Sequence, residues 1–173
     1  MIVIETARLK LRRLCAEDAP FILRLLNDPG WLRFIGDRGV RTLDDARSYL
    51  LNGPVAMYAR HGFGLYLTER SFDGVPIGMC GLIKRDTLDD VDIGFAFLPD
   101  FSGVGYAQEA AAATMAYGKR AFGLTRIVGI TSQDNERSIK LLEKIGLTFE
   151  RLRRLSEGDE EIMLFAWNPR PCA

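Results

Sequence analysis

Apolar and polar residues alternate along several short segments of this chain, and elsewhere the apolar residues recur every three or four positions. Alternation is typical of a half-buried strand, whereas the longer spacing is typical of an amphipathic helix. The pattern predicts a mixed α/β domain of about seven strands and four helices. The predicted strands are residues 8–12, 63–69, 77–84, 91–98, 126–131, 147–155 and 161–167, and the predicted helices are 17–27, 42–51, one ending near 122, and 135–145.

The predicted strand at residues 91–98 has one bulky face and one nearly bare face, because neighbouring side chains of a strand point to opposite sides. A bare face allows a helix or a ligand to come close. Asp92 lies on the bare face, where a carboxylate is costly to bury unless it is paired or hydrogen-bonded. Asp92 is therefore predicted to be either an ordinary ion-pair or half-exposed residue, or a general base whose pKa is raised by partial burial.

A glycine loop with the sequence Gly103-Val104-Gly105-Tyr106-Ala107 connects this strand to an alanine-rich helix. Small residues ahead of a helix let several backbone N–H groups point to one spot, where the helix dipole also favours an anion. The loop lacks the third glycine of a dinucleotide-binding motif, since Gln108 stands there, and it lacks the Gly-Lys-Ser/Thr of a P-loop. It is predicted either to bind a pyrophosphate or to be simply a tight turn.

A second candidate site, residues 131–138, follows the next predicted strand. Asn135 is well suited to cap the helix that begins there, and Ser138 lies in its first turn. Parallel strands joined by a crossover have their C-terminal ends side by side, and ligands of such sheets bind in the crevice beyond those ends. We expect this turn and the glycine loop to border one crevice, so that Asn135 is either a ligand contact or only a helix cap.

The overall composition narrows the functional classes. The chain has 173 residues, a formal net charge of +0 and three scattered cysteines. Its length predicts one domain over residues 1–173, and the charge balance gives no indication of a nucleic-acid or membrane partner. The cysteine spacing fits neither a disulfide framework nor a metal site, and no signal peptide or membrane-spanning run is evident, so we expect a cytoplasmic protein.

Several segments, taken in order, resemble the GNAT superfamily of N-acetyltransferases. The opening of the chain is also similar to the branch that acetylates ribosomal-protein N-termini. The resemblance covers nearly the whole chain and implies an acetyl-coenzyme A-dependent enzyme with a GNAT-like sheet, in which two parallel strands splay apart around the cofactor. The matching segments are Glu5-Thr6-Ala7-Arg8-Leu9-x-Leu11-Arg12, Glu17-Asp18-Ala19, Asp92-Ile93-Gly94-Phe95, Gly103-x-Gly105-Tyr106-Ala107-x-Glu109-Ala110, Asn135-x-x-Ser138 and Leu142-Glu143-Lys144-Ile145-Gly146-Leu147.

The resemblance implies that the pyrophosphate of acetyl-coenzyme A binds the glycine loop. Ser102 and Val104 stand where members of the superfamily often carry a large aromatic or polar residue and a basic one. This difference removes a possible side-chain contact to phosphate and leaves the backbone contacts in place. The residues whose backbone amides would bind the pyrophosphate are Gly103, Val104, Gly105, Tyr106 and Ala107.

The resemblance also implies contacts for the rest of the cofactor and a mechanism. The pantetheine arm would pair with the backbone near Phe97 and Leu98 and would contact Asn135. Because the attacking amine must be neutral, a base must take its proton, and Asp92 is the candidate. A backbone N–H near Phe97 would donate to the thioester oxygen, and Ser138, near the thiol, would protonate the departing thiolate. No metal is expected.

Several classes of acceptor are compatible with the sequence. A protein N-terminus, an amino acid, a polyamine and a drug amine all fit the expected activity, and the protein could be a monomer or a homodimer. A non-catalytic acyl-coenzyme A-binding or regulatory module is the alternative function, and an unrelated phosphate-binding domain is a third. Asp92 and Ser138 favour catalysis, because a module that only binds the cofactor needs no titratable group on the bare strand face.

Overall fold

The computed structural model describes residues 1–168, which form one mixed sheet covered by helices on both faces. The strands are β1 (Ile2–Glu5), β2 (Leu9–Arg13), β3 (Leu65–Arg70), β4 (Pro76–Ile83), β5 (Asp92–Phe97), β6 (Ile127–Ser132), β7 (Thr148–Arg153) and β8 (Ile162–Trp167). The α-helices are α1 (Ala19–Leu26), α2 (Pro29–Phe34), α3 (Leu43–Leu50), α4 (Ala56–His61), α5 (Tyr106–Phe122) and α6 (Glu136–Lys144). The strand order is β1-β2-β3-β4-β5-β6-β8-β7.

The predicted fold class is confirmed, but the described residues contain eight strands and six α-helices rather than about seven and four. The strand β1 has only four residues, too few to show a clear alternation. The helix α2 was missed because Asp28 and Pro29 look like the end of α1. In fact the Asp28 carboxylate accepts a hydrogen bond from the Gly30 N–H at 2.9 Å, so these residues begin a new helix.

The helix α4 was missed for a related reason. Gly53 and Pro54 normally indicate the end of a helix, yet α3 continues through a π-helical turn at Leu51–Val55 directly into α4. The prediction that Thr42 caps α3 is correct, since its hydroxyl accepts a hydrogen bond from the Asp45 N–H at 3.1 Å. The single domain was predicted over residues 1–173, of which residues 169–173, including Cys172, lie outside the described part of the chain.

The helices divide between the two faces of the sheet. α5 and α6 pack on one face in a core that includes Met115, and α1 and α3 pack on the other in a core that includes Ile22. Gly118 lets α5 lie close to the sheet, because a Cβ at that position would be 2.8 Å from a methyl group of Leu82. This close packing fixes where the N-terminus of α5, and therefore the glycine loop, lies relative to the end of β5.

Candidate active site

The parallel strands β5 and β6 diverge soon after they begin. In the described part of the chain, the register between them is limited to Asp92 opposite Val128, where the Val128 N–H donates to the Val91 carbonyl at 3.0 Å. On its other side β5 stays paired with β4 as far as Phe97, which lies opposite Gly78. A gap therefore opens between β5 and β6 toward their C-terminal ends, as the resemblance implied.

Backbone groups of β5 point into this gap. The Leu98 N–H donates to the Ile77 carbonyl at 2.9 Å, on the β4 side. Because successive residues of a strand direct their backbone groups to opposite neighbours, those of Phe95 and Phe97 face the gap. The cofactor contact predicted for Phe97 stays a prediction, and the direction of the Phe95 backbone was not predicted because it depends on the register with β4. The Leu98 carbonyl accepts from the Phe101 N–H at 3.1 Å, so both backbone groups of Leu98 already have partners.

The glycine loop leads from the open end of β5 into α5. Gly103 and Gly105 have φ values of 81° and 85°, a left-handed conformation that side chains disfavour. Tyr106 and Ala107 begin the helix, where N–H groups have no acceptor within the helix itself. Across residues 1–168, none of the N–H groups of residues 103–107 donates a hydrogen bond. Such a run of free amides at a helix N-terminus is suited to bind an anion.

Arg8 lies over the glycine loop, a position that the sequence analysis missed. Its Nη1 donates to the Val104 carbonyl at 2.9 Å and its Nε to Glu109 at 2.6 Å. The guanidinium carbon lies 4.7 Å from the centroid of the Tyr106 ring. The sequence placed Arg8 only on a predicted strand, because a contact between positions 101 residues apart leaves no local pattern.

Glu109, in the first turn of α5, anchors this arrangement. It accepts hydrogen bonds from the Thr6 hydroxyl at 2.7 Å and from the Arg8 backbone N–H at 2.9 Å, as well as from the Arg8 side chain. Burial disfavours the charged carboxylate, but the hydrogen bonds from Thr6 and Arg8 outweigh burial and lower the pKa of Glu109. Glu109 therefore stays charged at neutral pH and connects the β1–β2 turn to the helix that carries the glycine loop.

Asn135 caps α6, which confirms one of its two predicted roles. Its Oδ1 accepts a hydrogen bond from the Ser138 N–H at 3.3 Å. Within the described residues its Nδ2 donates no hydrogen bond, so the amide donor is available to a ligand. Asn135 and Ser138 are both partly buried, just past the end of β6. The cap is thus present, and a cofactor contact by Nδ2 remains a prediction.

Replacing Asn135 by aspartate separates these two roles. Aspartate keeps a capping oxygen and suits the positive end of the helix dipole, so the free energy of unfolding should be unchanged. It removes the amide donor, so the affinity for coenzyme A should fall by about 1–3 kcal/mol if Nδ2 binds the pantetheine arm. Calorimetric titration with coenzyme A, next to a thermal unfolding curve, tests this. Unchanged affinity would show that Asn135 acts only as a cap.

Asp92 is enclosed at the start of β5. Its side chain is 1% exposed, and the Nε of Arg85 lies 3.2 Å from each carboxylate oxygen. Burial raises the pKa of Asp92 to about 6, although the Arg85 charge opposes this shift. The ion pair considered from the sequence is therefore present. The raised pKa also lets Asp92 exchange a proton near neutral pH, so the general-base hypothesis stands beside it.

The candidate residues fall into two groups. The glycine loop and the Asn135–Ser138 turn lie beyond the C-terminal ends of the neighbouring strands β5 and β6. Asp92 lies at the closed end of the gap, roughly 16 Å along β5 from Phe97 at about 3.3 Å per residue. Asp92 shares its strand face with Ala96, which packs against the α1 and α3 side, whereas Ser138 belongs to α6 on the opposite face.

Two kinds of feature are absent from residues 1–168. No group of three or more His, Cys, Asp or Glu side chains there is placed to hold a metal ion. None of the helices in this part of the chain is long and apolar enough to cross a membrane.

Comparisons with known proteins agree with this geometry. Residues 8–148 match the acetyltransferase (GNAT) domain family. The uncharacterized protein YkkB of Bacillus subtilis is 30% identical, covering 86% of this chain and 87% of its own, and the uncharacterized N-acetyltransferase YoaA of the same organism is 27% identical, covering 88% and 86%. The ribosomal L7/L12 α-N-protein acetyltransferase RimL, solved with coenzyme A, superimposes with a TM-score of 0.83 at 19% identity, covering 97% and 98%.

The splayed parallel strands were implied by the resemblance to the GNAT superfamily, and the family match agrees with that resemblance. The chain belongs to the GNAT acetyltransferase family and is an acetyl-coenzyme A-dependent acyltransferase. Its structural neighbours include ribosomal-protein N-terminal acetyltransferases, as the opening segment of the sequence predicted.

Proposed function

We propose that this protein moves an acetyl group from acetyl-coenzyme A to a primary amine, on a protein N-terminus or a small molecule, by direct attack. The observation that carries the proposal is the gap between β5 and β6, with backbone groups of Phe95 and Phe97 directed into it. The free amides of residues 103–107 at its open end would hold the pyrophosphate. When bound, acetyl-coenzyme A supplies a reactive thioester carbonyl.

The two proposed catalytic residues belong to opposite faces of the sheet. Asp92 faces the α1 and α3 side and would hold the proton that leaves the amine. Ser138, in the first turn of α6, would pass a proton to the departing thiolate and regain one from a water molecule. A base on one face and a proton donor on the other suit an amine that arrives on the first face while the thiol leaves on the second. Such direct attack requires no covalent bond to the enzyme.

The enclosure of Asp92 constrains how it would act. With 1% of its side chain exposed, Asp92 offers no surface on which an amine could contact it directly. The proton would therefore reach it through a chain of intervening water molecules. Arg85, which is 30% exposed, keeps the carboxylate paired and limits the rise in its pKa. A base with a pKa near the working pH is the most effective general base.

A panel of acceptors tests the proposal. The protein is incubated with acetyl-coenzyme A and either peptides with a free N-terminus or small primary amines, while thiol release is followed and products are identified by mass spectrometry. The same peptides with a blocked N-terminus serve as matched controls. Thiol release that depends on a free amine, with an acetylated product, is expected. Coenzyme A binding without turnover on any amine would instead favour the non-catalytic binding module.

Replacing Ser138 by alanine tests the proton donor. The turnover number should fall by up to about 10²-fold, because the thiolate then leaves without an internal acid. The affinity for coenzyme A should stay near that of the wild type, since the proposed contact is made as the thiolate forms. Steady-state kinetics and calorimetry measure the two quantities separately. Wild-type turnover, under conditions where chemistry limits the rate, would mean that solvent protonates the thiolate.

A further inference from the structure

Arg8 has hydrogen-bond donors that the fold does not use. A guanidinium carries five N–H donors, and those of Arg8 that are engaged reach Glu109 and the Val104 carbonyl. Within residues 1–168 its Nη2 donates no hydrogen bond, and its side chain is 45% exposed. Nη2 lies 3.3 Å from the position that a Cβ on Gly105 would occupy. The unused donors therefore lie beside the free amides of the glycine loop.

The position of this guanidinium is fixed before any ligand arrives. Glu109 pairs with its Nε, the ring of Tyr106 lies against its face, and the Val104 carbonyl accepts from Nη1. Thr6 in turn holds Glu109. A side chain held in this way loses little conformational freedom when a ligand binds, so most of the interaction energy remains available for affinity.

The surroundings of Arg8 have room for a ligand group. A cleft of about 440 Å³ is lined by Ala7, Arg8, Ser71, Phe72 and Tyr106. The Ser71 hydroxyl oxygen is buried and has no hydrogen-bond partner within the described residues. Neither Ser102 nor the glycine loop, residues 103–107, carries a cationic side chain. Arg8 is thus a cation, placed on the loop from elsewhere in the chain, that borders a cleft with an unsatisfied hydroxyl.

We propose that Arg8 contacts a phosphate group of coenzyme A and supplies the positive charge that the glycine loop lacks. Guanidinium groups bind phosphate oxygens with paired, charge-assisted hydrogen bonds, which suits the unused donors of Arg8. The proposal rests on the proposed binding of coenzyme A at the glycine loop. Coenzyme A carries a pyrophosphate and a 3′-phosphate, and Arg8 could meet either one.

The experiment compares two variants, each of which removes one partner of the Arg8–Glu109 ion pair. Arg8→Gln removes the charge that would meet phosphate, whereas Glu109→Gln disrupts the ion pair but keeps that charge. Arg47→Gln, which alters an exposed pair with Asp44 on α3, is a control for net charge. Calorimetry at low and high salt measures the affinity of each folded variant for coenzyme A and for dephospho-coenzyme A, with circular dichroism to check folding.

Arg8→Gln should weaken coenzyme A binding by roughly tenfold at low salt and less at high salt. Glu109→Gln should weaken binding by less than Arg8→Gln, because it loosens the guanidinium but keeps its charge, and Arg47→Gln should change the affinity by no more than about twofold. The same loss with dephospho-coenzyme A would identify the pyrophosphate as the partner, and no loss with that ligand would identify the 3′-phosphate. An equal loss in Arg8→Gln and Glu109→Gln would overturn the proposal, because both would then act only by positioning the loop.

Two further results would also count against the proposal. Wild-type affinity in Arg8→Gln would show that no phosphate contact is made. Absence of coenzyme A binding by the wild-type protein would refute the proposed function itself, and with it the role of Arg8. The wild-type titration therefore separates failure of the proposed function from failure of this inference.

Discussion

Replacing Gly105 by aspartate should weaken coenzyme A binding by about 3 kcal/mol, or roughly 100-fold in Kd. Gly105 has a φ of 85° and lies in the glycine loop immediately before the first residue of α5. An aspartate side chain there would block the approach of the pyrophosphate and repel its charge. It would also lie next to the Nη2 of Arg8 and could take that donor from the ligand. Calorimetric titration with coenzyme A measures the loss.

The matched control for this prediction is Gly123→Asp. Gly123 also has a positive φ, 61°, but it caps the other end of α5. Both variants carry the strain of a side chain in a left-handed conformation, about 1–2 kcal/mol. Gly123→Asp also puts a negative charge at the negative end of the helix dipole, so its stability should fall at least as much as that of Gly105→Asp. Coenzyme A affinity should fall only for Gly105→Asp. Wild-type affinity in a folded Gly105→Asp protein would rule out the glycine loop as the pyrophosphate site.

Replacing Asp92 by asparagine should lower turnover by about 10²–10⁴-fold if Asp92 is the base. Coenzyme A affinity should remain almost unchanged, because Asp92 lies at the closed end of the gap, away from the glycine loop. Asp90→Asn is the matched control. Asp90 lies two positions before Asp92 and forms an ion pair with Arg126. Turnover close to wild type in Asp92→Asn would leave Asp92 with only its ion pair to Arg85.

The pH dependence of the reaction rate gives a second test of Asp92 as the general base. Because burial raises the pKa of Asp92 to about 6, the carboxylate form increases as the pH rises through that value. The rate at low acceptor concentration should therefore rise with pH between about 5 and 7, with its midpoint at the pKa of Asp92 in the free enzyme. Asp92→Asn should lose this acidic limb. If the variant kept an acidic limb with the same midpoint, the titrating group would be a residue other than Asp92.

Much of the local structure could be predicted from the sequence. The alternation at β5 and the helical spacing in α5 are periodic patterns that the backbone geometry imposes. The glycine loop and the caps at Thr42 and Asn135 were also predictable, because turns and helix ends depend on a few neighbouring residues. The helices α2 and α4 were missed because each follows residues that commonly end a helix.

The contacts that define the candidate site have a different origin. Asp92 was anomalous in the sequence, but its pairing with Arg85 and its near-complete burial depend on how β5 is enclosed. The gap between β5 and β6 was expected only through the resemblance to a family. The directions of the Phe95 and Phe97 backbone groups depend on the register with β4, which a single strand does not reveal.

Periodicity and short motifs are therefore enough to predict the fold class, the strand and loop that precede α5, and the cap of α6, because short-range geometry encodes each of them. Which distant groups meet depends instead on how the elements pack. Arg8 reaches the Val104 carbonyl across 96 positions of the chain. Nothing near Arg8 in the sequence indicates that contact, since it arises from packing α5 across the sheet so that its first turn meets the β1–β2 turn.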